Sequence, residues 1–87
     1  MRAVIVCTKH RGVFYGYTEA KVGDDPILLK DARMAIHWGT TRGVMELAET
    51  GPTSRSKISA RADIEVRDVT AVFEVRPKAE TAWRAIQ

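Results

Sequence analysis

The sequence predicts an α+β fold, a small bent antiparallel sheet or partial barrel of about six strands with two short helices. Three observations predict it. Apolar and polar residues alternate with period two in short runs along most of the chain, as half-buried strands require. Helical spacing occurs only near residues 42–50 and 78–86. The chain has 87 residues, which reads as a single domain over 1–87. A chain this short buries only roughly 60–65% of the surface its unfolded form exposes. Exposed sheet edges in so small a fold predict pairing between subunits, so a homo-oligomer is expected.

The elements follow in order. Residues 2–8, Arg-Ala-Val-Ile-Val-Cys-Thr, are β-branched and apolar, a strand buried on both faces. Lys9, His10, Arg11 and Gly12 make a basic turn. Residues 13–19 return as a second strand, with Tyr15 and Tyr17 on one face and Phe14 and Gly16 on the other. Glycine at position 16 marks a bend, a bulge or a close backbone approach. Residues 21–26 form a turn by composition. Residues 27–30 are a third strand, Asp31 and Ala32 a break, and residues 33–38 a fourth strand. In that fourth strand Met34, Ile36 and Trp38 alternate with Arg33, Ala35 and His37, and Gly39 stops it.

Thr40 and Thr41 are candidate N-caps for a first helix over 42–50, which Gly51 and Pro52 end. Residues 52–57 are a polar, basic loop. Ile58, Ala60, Ala62, Ile64 and Val66 alternate with polar residues, a half-buried strand bending near Ala62. Val69, Ala71, Phe73 and Val75 repeat the pattern. Pro77 suits a helix start, and Ala79, Ala82, Trp83 and Ile86 form the apolar stripe of a second helix over 78–86.

Composition excludes several classes. With 45% hydrophobic and 29% charged residues the chain is globular rather than disordered. No apolar run approaches the roughly 20 residues of a membrane helix. The first apolar run starts too early and is too short for a signal peptide, so a cytoplasmic location is expected. One cysteine excludes an internal disulfide. The net charge of +3 permits an anionic partner without demanding one.

Catalysis needs a nucleophile, a base and an orienter in reach. The chain offers His10, His37 and Cys7, and Cys7 lies in the apolar first strand as a small hydrophobe. These three cannot supply a four-ligand zinc site. Asp24 and Asp25 lack the alternating ligands of a calcium loop and read as a turn. No glycine-rich phosphate loop occurs. The expectation is therefore no catalytic residues, no metal, no cofactor and no enzyme.

Anion binding has more support, concentrated in residues 30–42. Thr40 and Thr41 lead into a helix and carry hydroxyl donors, serving either as caps or as phosphate ligands. Arg33 and Arg42 suit bidentate phosphate contacts or a solvated face. Trp38 offers a stacking face for a base or a core side chain. Lys57 adds charge from the basic loop. Arg11, Tyr15 and Tyr17 form a further patch, in which the tyrosines either stack bases or bury against the C-terminal helix and Trp83.

The series Gly12-Val13-Phe14-Tyr15-Gly16, Leu28 to Arg33, Ile36-His37-Trp38-Gly39 and Glu46 to Gly51, followed by Val69 to Val75, resembles a family of small phage- and prophage-encoded proteins of undefined function. The resemblance covers about residues 3–76. His37 and Thr40 stand where that pattern often has an aromatic residue and an alanine. The strand from Gly12 to Thr18, followed by an apolar strand ending in Lys30 and Asp31, also resembles an Sm-type pattern. Together these imply a cytoplasmic, non-enzymatic binder in the host bacterium. The expected form is an oligomeric sponge for a cyclic oligonucleotide signal of anti-phage immunity. The alternatives are a protein-binding inhibitor of a host defence factor and an Sm-like RNA-binding module.

Overall fold

The apolar run at residues 3–6 becomes the centre of a bent antiparallel sheet. The computed structural model describes residues 1–9, 12–21, 23–37 and 43–86. Its elements are β1 (Arg2–Thr8), β2 (Val13–Thr18), β3 (Ile27–His37), α1 (Met45–Glu49), β4 (Lys57–Ile58), β5 (Ala62–Val66), β6 (Val69–Glu74) and α2 (Pro77–Ala85). The sheet order is β4-β3-β2-β1-β6, with β5 also paired to β3.

Alternation along β1 sends its side chains into two cores, so the expected burial on both faces is observed. Ala3 and Ile5 join Tyr15, Leu47, Ala48, Ala79 and Trp83 under the helices. Val4 and Val6 join Ile27, Leu29, Ala32 and Val66 on the opposite face.

Residues 27–37 are one strand rather than two. The apparent break is a bulge: Asp31 takes a left-handed φ of 52°, and pairing with β5 shifts between Leu29 and Ala32. An inserted residue reverses which face later side chains occupy. Arg33 and Ala35 therefore turn inward, while Met34 and Ile36 are 37% and 57% exposed. Gly16 faces this bulge closely, because a Cβ there would lie 3.1 Å from the Leu29 Cβ and 3.2 Å from that of Ala32.

The run expected as one bent strand over 58–67 is instead split. β4 pairs with the end of β3, Ala35 opposite Ile58 and His37 opposite Lys57. β5 pairs with its beginning, Ile27 opposite Val66. The interruption serves the bulge: Asp31 N donates to Asp63 Oδ1 and Met34 N to Ser59 Oγ. Two main-chain donors that a regular ladder would satisfy thus find side-chain oxygens.

α1 is shorter than the expected 42–50. Its N-cap is Val44, with no side-chain cap; the candidate caps Thr40 and Thr41 lie outside the described residues. Gly43, at φ 83°, separates the helical residues from what precedes. Gly51, at φ 93°, ends the turn so close to α2 that a Cβ would lie 2.6 Å from the Ala82 Cβ. α2 begins at Pro77 as the sequence predicts.

Only Arg67 and Asp68 join β5 to β6. The three steps from Val66 to Val69 reach at most roughly 11 Å, yet β5 lies on the β3 edge and β6 on the β1 edge. The sheet must therefore curl until its edges approach at this corner. Asp25 helps hold it there by accepting a hydrogen bond from Val69 N.

Candidate functional site

Tyr15 sits in β2 on the helix-covered face and is fully buried. Its ring stacks on Trp83, with centroids 4.5 Å apart and planes within 3°. Its hydroxyl donates to the Tyr17 hydroxyl at 3.1 Å, and Tyr17 donates to Glu80 Oε2 at 2.8 Å. Of the two readings left open for Tyr15, burial against the C-terminal helix is the observed one. It is no ligand residue, and the RNA-binding alternative loses that stacking face.

The chain of hydroxyls makes a testable electrostatic unit. Burial raises the Tyr15 phenol far above its ordinary value, helped by the Tyr17 hydrogen bond. Burial also raises Tyr17, with the Glu80 hydrogen bond acting in the same direction. Above the ordinary tyrosine value of about 10, an unfolded chain releases these protons while the folded one retains them. Stability therefore falls as pH rises through that range. The chain has only these two tyrosines, so absorbance at the tyrosinate band reads them alone. We expect tyrosinate to appear only together with alkaline unfolding; tyrosinate with native circular dichroism would contradict the burial argument.

Arg33 is directed inward by the same register, which places it opposite Tyr15. It is 2% exposed. Its Nε donates to Ser59 O at 2.9 Å, and its Nη1 donates to Ile86 O. Arg61 donates to the same Ile86 carbonyl at 3.2 Å and pairs with Asp31 Oδ2 at 3.0 Å. Two guanidinium groups thus meet the C-terminal end of α2, where the helix dipole favours cations. Burial lowers the Arg33 pKa, and the nearby Arg61 charge lowers it further. Arg33 secures the fold and does not reach a surface ligand.

Lys57 is exposed on β4, opposite the exposed His37. Arg11, Trp38, Thr40, Thr41 and Arg42 lie outside the described residues. The register nevertheless groups what flanks them. Phe14 opposes Met34, so Lys9, Gly12 and the His37–Lys57 pair occupy the same end of the sheet. Lys9, His37, Arg55 and Lys57 are all exposed there or in the adjoining turn.

A different feature was not anticipated. A groove of about 430 Å³ lies between residues 21–27 and β6, lined among others by Arg2, Asp24, Asp25, Thr70 and Val72. Asp24 and Asp25 read as a turn, and the one available signal was Val72, apolar among the polar alternates of its strand.

A family model for a domain of unknown function, DUF6948, matches residues 1–83. The chain belongs to this family. The DUF6948 match includes all six strands, α1 and α2 through Trp83. No curated protein and no solved structure matches the chain. Among the described residues of this DUF6948 protein, no helix is long and apolar enough to cross a membrane.

Proposed function

We propose that this DUF6948 protein is a non-enzymatic, oligomeric binder of an anionic nucleotide. In its most specific form it is a phage-encoded sponge that sequesters a cyclic oligonucleotide signal of bacterial anti-phage defence. One observation carries the reading. The β2–β3 register gathers Lys9, Gly12 and the His37–Lys57 pair at one end of the sheet, and residues 38–42 follow His37 in sequence. That segment carries Trp38, Thr40, Thr41 and Arg42. The ligand set excludes Arg33 and Tyr15, which are buried.

The chemistry is additive. Arg42 supplies a planar guanidinium for two phosphate oxygens, and the threonine hydroxyls donate to others. Trp38 supplies a stacking face, and Lys57 and Arg11 supply charge. Isothermal titration with cyclic di- and oligonucleotides tests this. Wild-type protein is expected to bind, and Arg42→Ala to weaken binding about tenfold or more, as loss of charged hydrogen bonds does. Lys57→Ala should weaken it less, since a single exposed charge contributes less. No binding by the wild type, or no change in Arg42→Ala, would sink the proposal.

A second reading, a protein-binding inhibitor of a host defence factor, draws on Met34 and Ile36. Both are large, apolar and exposed near the same strand end, as a protein contact prefers. It takes precedence if the nucleotide titrations are flat.

A further inference from the structure

We infer that the outer edge of β6 pairs with the β6 edge of a second copy of this chain, antiparallel and centred on Val72. The hydrogen-bond phase of β1 sets this up. Thr8 N donates to Gly12 O, on the β2 side, and Val75 N donates to Ala3 O, on the β6 side. Even residues of β1 therefore bond to β2 and odd residues to β6. Opposite the odd residues stand Ala71, Phe73 and Val75. Val72 and Glu74 are left with their main-chain N–H and C=O groups directed outward, while the register shift at the Thr8 end breaks the phase at Thr70. Among the described residues no strand pairs there.

The two free edges of the sheet differ in their defences. Along β5 the exposed Arg61, Asp63, Glu65 and Arg67 follow one another at every second position, a charge pattern that discourages strand addition. Along β6 the outward positions are Val72 and Glu74, and Val72 is 40% exposed. The groove of about 430 Å³ beside β6 leaves room for an added strand.

Charge selects the occupant. Asp24, Asp25 and Asp68 lie at the N-terminal end of β6, Asp25 bonded to Val69 N. Arg76 and Lys78 follow its C-terminal end. A strand acidic at one end and basic at the other is complementary to itself only when antiparallel. Centred on Val72, a two-fold brings the acidic end of β6, with Asp68, toward the basic end of the partner strand, with the partner's Arg76. Val72 meets the partner's Val72, a favourable β-branched pair. This names the contact for the oligomer in the reading above and stands whether or not a nucleotide binds.

Sedimentation equilibrium over a concentration series, without added ligand, tests it. The wild type is expected to form a dimer. Val72→Pro removes an N–H that points away from β1, so the β1–β6 ladder survives, and proline is tolerated at such edge positions. Loss of the central bonds should raise the dimer dissociation constant about tenfold or more, with unchanged circular dichroism. Arg76→Glu, at an exposed side chain, should also weaken the dimer by bringing like charge toward the acidic end of the partner strand. It decides alone if Val72→Pro does not fold. A wild type that stays monomeric, or a dimer that the folded variants leave unchanged, overturns the inference.

Discussion

Trp83→Ala is expected to cost about 3–5 kcal/mol of folding stability, the range for deleting a buried aromatic side chain. Domains this size have only about 5–15 kcal/mol in total, so the variant should be near unfolding at ambient temperature. The reason is the number of elements that meet on one ring. Trp83 is fully buried on α2, stacks on Tyr15 of β2 and donates its indole N–H to Leu47 O of α1 at 3.0 Å. Truncation opens a cavity, unstacks Tyr15 and leaves a carbonyl without its donor. Trp83→Phe keeps a ring on Tyr15 and should lose much less. Urea denaturation followed by far-ultraviolet circular dichroism measures both; an alanine variant within about 1 kcal/mol of wild type would contradict the packing argument.

Arg33→Met is expected to cost about 2–4 kcal/mol, since it keeps the apolar stem but removes charged donors from two part-buried carbonyls at roughly 1–3 kcal/mol each. Ser59 O and Ile86 O are the carbonyls concerned. Arg61 still reaches Ile86 O, which limits the loss. The result also separates two roles that the sequence allowed for Arg33. A residue that holds α2 against β3 lowers the melting temperature when replaced. A phosphate ligand at the surface would lower nucleotide affinity and leave stability unchanged, and that pattern would refute the structural assignment.

The same arginine explains where sequence reading succeeded and failed. Period two along 33–38 correctly signals a strand. It leaves open which set faces the core, although apolar residues are normally the buried ones. One extra residue at Asp31 reverses the phase, and the buried residues are Arg33 and Ala35 instead. A bulge has no composition signature of its own here: Asp31 looks like a break, and only its backbone conformation and the register shifts against β2 and β5 reveal the insertion. Likewise the alternation over 58–67 conceals that two separate pieces serve two ends of one partner strand.

Of the candidate site, the sequence identified a basic, threonine-containing segment, and the structure adds which described charges stand beside it. It also removes Tyr15 and Arg33, whose chemistry suits a ligand but whose surroundings leave no access. Residue type describes what a side chain can do. Only burial and partners describe what remains available to it.

The sequence by itself determined the α+β class, the central apolar strand, both helix ends at Gly51 and Pro77, and the exclusion of a disulfide within these 87 residues. These follow from local periodicity, backbone restriction and counting, which need no knowledge of neighbours. The tertiary structure alone decided which face Arg33 occupies, how Tyr15 and Trp83 meet, and which sheet edge is left unguarded. Each depends on strand register and on one bulge, and register is set by contacts between residues far apart in the chain.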